Sequence, residues 1–241
     1  MICDISYKTL GLSFSILTVG TIGGWAMVSE VAGNEAGDNF LVIGSLIQVA
    51  IFLSQLTIFF CMRNRLFLQL IFLAACGISL AWFMFSLVAP VLWMDVVSVE
   101  VKSVVLVVLI LLSALNIMES FRRFDERWAG IDASIRIRRL GMAGDAVNWD
   151  GLISFMRLEA DFYIPGFSKG ISVATSILML VFMLIGLNLR HVFPTFSAFA
   201  WGIPSALTVA FLFKLIGFNL AQAGKVRMLE KEYQVIFQQA I

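Results

Sequence analysis

Histidine occurs once in this chain, at position 191, and the three cysteines, Cys3, Cys61 and Cys76, form no CxxC pair. Such a ligand supply gives no reason to expect a metal site, and an odd, dispersed set of thiols is expected to stay reduced. The nucleophile elbow GxSxG, the HExxH helix, the Walker loop and the dinucleotide fingerprint are all missing. With the acidic residues scattered near interfaces, no catalytic residue and no cofactor is assigned, and the chain is not expected to be an enzyme. Bases and acids nearly cancel, 17 against 16, which removes the bulk positive charge of a nucleic-acid binder. Charge is also scarce. At 14% charged and 60% hydrophobic residues the composition lies far outside soluble usage, so the chain is read as an integral membrane protein.

What fills the chain instead is a set of apolar runs long enough to cross a bilayer, which takes about 20 residues each. Six qualify: Leu10 to Ser29, Phe40 to Met62, Leu66 to Ala89, Val99 to Met118, Ile171 to Leu189 and Thr195 to Phe213. The first follows a segment with only Lys8 set against Asp4, so it is read as a retained span and not a cleaved leader. The last contains Gly202 and Pro204, tolerated in a membrane helix when neighbours re-satisfy the freed backbone groups. The connections settle an expected orientation. Placing both termini, the turn at Arg63 and Arg65, and the long segment after the fourth span inside leaves Lys102 and Arg190 as the only outer bases of the 17. Trp25, Trp93 and, deeper, Trp201 then suit an outer aromatic belt, whereas Trp82 is expected in buried packing.

Charged residues are missing from the middle of every span. Glu100, Lys102 and Lys214 stand at span ends, where long side chains are expected to snorkel, so a carrier driven by a mid-bilayer carboxylate is disfavoured. Uncharged polar residues do share faces. Ser15, Thr18 and Thr21 lie on one side of the first span and Gly44, Gln48 and Gln55 on one side of the second. These glutamines and hydroxyls either bond between helices or line a watery path, and Ser15, Thr18, Thr21, Gln48 and Gln55 are the pore-lining candidates. Ser13, Gly20 and Gly24 oppose the hydroxyl face, and Ala75 and Ser79 make a small pair in the third span. Both sets permit close helix approach. The run VVLVVLILL from Val104 would make a dry constriction if it lined an axis.

Beyond the fourth span the apolar spacing continues through a charged stretch. Ile117, Phe121, Phe124, Trp128, Ile131 and Ile135 step by four and three, a heptad seam expected to extend the helix until Gly141, despite Gly130. Val226, Leu229, Tyr233, Ile236 and Ala240 repeat the device in the tail. Between them, GMAGDAVNWD reads as a loop with Asn148 or Asp150 as N-cap. The following LISFMRLEADFYI reads as a short amphipathic helix, with Trp149, Phe155 and Tyr163 at the inner headgroup boundary. Whether the seams pack within one chain or against other copies is open at this point. Arg122, Arg123, Arg136, Arg138 and Arg139 lie close to the inner leaflet and are candidates for anionic lipid or an anionic ligand.

The fold expected is an all-α, polytopic membrane bundle of six transmembrane helices with helical cytoplasmic extensions. Residues 1–118 hold the first four spans, 119–170 the cytoplasmic extension and amphipathic linker, 171–213 the last two spans and 214–241 a cytoplasmic C-terminal helix. The function expected is a homo-oligomeric membrane pore or ion channel gated from the cytoplasm, in a bacterial inner membrane and with membrane depolarisation as its effect. The alternative is a non-conducting interaction protein, an immunity factor or structural subunit bound to another membrane protein. Expected partners are membrane lipid, further copies of the chain, and a cytoplasmic regulatory protein or anionic ligand.

Overall fold

The computed structural model describes residues 7–62, 65–132, 134, 146–156 and 169–239. Its architecture is an all-α membrane bundle. The helices are α1 (Tyr7–Ala32), α2 (Asn34–Cys61), α3 (Leu66–Ser86), α4 (Ala89–Trp93), α5 (Val99–Ala129), α6 (Trp149–Met156), α7 (Lys169–Leu189) and α8 (Pro194–Tyr233). Two two-residue segments, β1 (Ala146–Val147) and β2 (Gln238–Gln239), pair in parallel. Five helices, α1, α2, α3, α5 and α8, are long and apolar enough to span a membrane. The remaining expected span falls in α7, which is 21 residues long and whose described apolar part is Ile177–Leu189.

Helix α8 is the hub. It packs on α3, α5, α7 and α4, while α1 and α2 form a hairpin that leans on α3. The hairpin turns at Gly33, whose φ of 95° is a left-handed conformation that glycine adopts without a Cβ clash. Close approach of α1 to α3 follows the small-residue prediction. A Cβ at Gly20 would sit 2.9 Å from the Phe83 Cα, so only glycine lets the backbones meet there. Pro204 stands inside an unbroken 40-residue α8.

Side-chain pairs link loops that share a side of the bundle. The ends of α1 and α7 meet through Glu30, 3.2 Å from Arg190 and 3.6 Å from His191. At the opposite end the α2–α3 turn meets the tail, with the Leu66 N–H donating to the Phe237 carbonyl at 3.0 Å.

Several expectations are corrected. Helix α5 stops at Ala129 with Gly130 as its C-cap, not at Gly141, since glycine is the weakest helix former in the run. Helix α8 stops at Tyr233, where Gln234 turns left-handed (φ 54°), so Ile236 is exposed and Phe237 takes the core position. Trp149 is fully buried instead of lying at the headgroups, and Trp201 is buried on α7, donating to the Met183 carbonyl at 3.2 Å. Lys214 does not snorkel: its side chain is 0% exposed.

Candidate functional site: the α5–α8 seam and its aromatic cap

Helices α5 and α8 run in the same direction. Leu109 shares a cluster with Val209 in the membrane, Ser120 bonds Lys214 a few turns on, and Phe124 and Trp128 pack with Ala221 and Val226 beyond that. The face that α5 buries is Leu109, Ser113, Asn116, Glu119, Ser120, Phe124 and Trp128. It is apolar at the top, polar in the middle and aromatic at the base.

The polar middle is the part that hydropathy conceals. The Ser120 hydroxyl lies 2.7 Å from both the Asn116 and the Lys214 carbonyl oxygens. Asn116 Nδ2 donates to the Leu112 carbonyl at 2.9 Å. Its Oδ1, together with Ser113 Oγ and, on α8, Ser205 Oγ, is buried without a hydrogen-bond partner among the described residues. Lys214 lies about 30 Å along the α8 axis from Pro194, about the thickness of a hydrocarbon core. Ser113 also borders a cleft of about 400 Å³ among α2, α3, α5 and α8, whose other walls include Ile51, Trp82, Phe85, Leu109 and Phe213.

The aromatic base is a cap built from α5, α6 and α8. Phe124 stacks on Trp128 and Trp128 on Trp149, each pair with ring centroids 6.0 Å apart. Trp149 Nε1 donates to Gln222 Oε1 at 3.1 Å, and Lys225 Nζ sits 5.0 Å above the Trp128 ring. Asn148 caps α6, its Oδ1 accepting the Gly151 N–H at 2.8 Å. Glu230 closes the tail: Oε1 accepts the Phe237 N–H at 3.2 Å and Oε2 pairs with Arg227 at 3.1 Å.

The predicted seam is therefore divided. Phe124, Trp128, Ile131, Val226 and Leu229 are buried within the chain. Ile117 is half-buried, Phe121, Tyr233 and Ile236 are exposed, and Ile135 lies outside the described residues. Arg122 and Arg123 both bond Glu119, at 2.8 Å and 2.6 Å, so a buried carboxylate already engages them. Arg136, Arg138 and Arg139 fall outside the described residues, as does Tyr163. Phe155 is exposed at the surface of α6.

The five pore-lining candidates do not converge on one path. Gln55 is 0% exposed and closes a ring with α1 and α3: Ser13 Oγ donates to its Oε1 at 2.8 Å, while its Nε2 donates to the Ala75 carbonyl at 2.8 Å and to Ser79 Oγ at 2.6 Å. Gln48 donates to Thr18 Oγ1 at 2.9 Å, and Thr21 Oγ1 accepts from Trp82 Nε1 at 3.1 Å. Ser15 is exposed and bonds the Gly11 carbonyl. Among the described residues no three of His, Cys, Asp or Glu converge as metal ligands.

Sequence reasoning missed Asn116, Ser120 and Gln222, and read Lys214 as a snorkelling side chain where it is buried. The available signal was AFLFKLIGF around Lys214, a base enclosed by apolar residues on both sides. Comparison with protein families, with curated proteins and with solved structures gives no significant match.

Proposed function

We propose that this chain assembles into a homo-oligomeric membrane pore, an ion channel opened from its cytoplasmic side, with the bacterial inner membrane as its setting and depolarisation as its effect. One observation carries the reading. Helices α5 and α8 each pass unbroken from the membrane into a shared aromatic cap, and between the two levels they share a buried polar seam. A partner or anionic ligand that displaces the cap levers both helices at once, because an α-helix transmits displacement along its length as a stiff rod.

Reconstituted protein tests this. The solubilised particle is expected to hold a multiple of the 26.7 kDa chain, and liposomes containing it are expected to pass ions when the cap is perturbed. A single copy, with no flux under any cap perturbation, overturns the pore.

A second reading is favoured by the hydrogen-bonding of the candidate liners. Gln48, Gln55, Thr18 and Thr21 all bond within the chain. That arrangement suits a non-conducting membrane protein, an immunity factor or structural subunit, for which a stably co-purifying second polypeptide and no ion flux are expected.

A further inference from the structure

We propose that the α5–α8 seam holds internal water inside the membrane, bound by Ser113, Asn116 and Lys214, and that the contact of Gly217 with Ser120 is its cytoplasmic seal. Ser113 and Asn116 are three residues apart on one buried helix face, so their side chains are neighbours. Ser113 is 8% and Asn116 1% exposed, and each keeps an oxygen without a hydrogen-bond partner among the described residues. Asn116 cannot repair this by flipping its amide, because Nδ2 already donates to the Leu112 carbonyl.

Lys214 enters from the facing helix. Its backbone lies against Ser120, and side chains on a helix lean toward the N-terminus, which in α8 is the direction of the Asn116 and Ser113 level. An ammonium carries three donors and can hold a water as well as a protein acceptor. Water is the ligand whose chemistry fits the whole set, since it accepts from an ammonium and donates to an amide oxygen and a hydroxyl. Buried water makes about three such bonds where several polar groups face one space.

The seal is steric. A Cβ at Gly217 would lie 2.9 Å from Ser120 Cβ and 3.2 Å from Ile117 Cα, so the two helices touch there through a glycine. Above the site lies the apolar cleft bordered by Ser113, dry by its lining. A wetted segment ending at an apolar constriction is the arrangement by which pores gate through dewetting. This step rests on the pore reading and places the inner half of its route within one subunit. The water site itself stands without it.

Cysteine reactivity decides the matter, because the thiolate attacks the methanethiosulfonate sulfur, forming a mixed disulfide and releasing methanesulfinate, and thiolate forms in water and not in lipid. In a chain with its three cysteines replaced by alanine, Ser113→Cys and Asn116→Cys are treated with hydroxyethyl methanethiosulfonate in liposomes. Lipid-facing Val49→Cys on α2 and exposed Glu232→Cys serve as controls. The expected result is reaction at Asn116→Cys at least tenfold faster than at Val49→Cys, and faster again when Gly217→Val pries the helices apart. Gly217→Ala substitutes if the valine variant does not insert. Rates at both seam positions equal to that of Val49→Cys overturn the site. Ion flux is read from the same liposomes. Labelled seam positions without flux sink the pore and keep the water site, whereas flux with an unlabelled seam does the reverse.

Discussion

Gln55 uses every hydrogen-bonding group it has on its own neighbours. With the Ser13 proton on Gln55 Oε1, Ser79 is left to donate to Ser13 Oγ at 2.7 Å, and the ring of donors closes with none unused. A residue so engaged ties α1, α2 and α3 together and has no group to offer a passing ion. Gln55→Leu is therefore expected to lower the unfolding free energy in detergent by about 1–3 kcal/mol, since it removes three buried bonds and leaves the Ser13 hydroxyl proton without its acceptor. Gln48→Leu, which removes one partly buried bond, is expected to cost about 0.6 kcal/mol, the average for a membrane interhelical bond. Denaturant titration of both variants checks the order. Equal losses, or altered ion flux in a Gln55→Leu protein of native stability, would return Gln55 to the pore wall.

For the α5 element, helical geometry explains why the apolar stripe and the buried face part company. A strict seven-residue pattern drifts about 20° per heptad around a straight helix. The buried face steps 109, 113, 116, 120, 124, 128, with Glu119 buried beside Ser120, and so leaves Phe121 behind, 39% exposed. Apolar spacing thus located the long helices and the burial of Phe124, Trp128, Ile131, Val226 and Leu229, and of the two cap residues expected for α6, Asn148 and Asp150, the structure uses Asn148. It could not locate Ser113, Asn116, Ser120 and Lys214, because periodicity counts apolar residues and these are polar groups on a buried face. It also misplaced Trp149, whose amphipathic ring suits a headgroup boundary as well as a stack against Trp128, and nothing local separates the two. The consequence is testable. Phe124→Glu with Trp128→Glu puts two charges into a core that includes Trp149 and Phe237. Faster hydrogen exchange throughout α6 and the last two turns of α8 is expected, with the protein mass of the particle unchanged. Collapse of an oligomer to single copies with the cap still protected would instead make this seam an interface between chains.

For the molecule as a whole, the question is where copies would meet once the seam is internal. In lipid there is no hydrophobic drive between helices, so an interface needs close packing and small residues. The outward face of α5 offers Ser103, Val107, Ala114 and Met118, all exposed and at helical spacing, and it continues below the membrane into Phe121. Helix α2 is the least buried span, with 11% of its window inside the chain, yet its helix ends at Cys61 without reaching far into the cap region. The α5 face connects a contact within the membrane to a helix that carries the cap. Ala114→Trp with Val107→Trp is therefore expected to shift the solubilised particle toward one copy while hydrogen exchange in the cap stays native, because no buried side chain is touched. The corresponding tryptophan pair on α2, Val42→Trp with Leu46→Trp, is expected to leave the mass as it was. Should the α2 pair dissociate the particle and the α5 pair not, the assembly would be joined through the helix hairpin, and motion of the cap would have no direct path to the contact between copies.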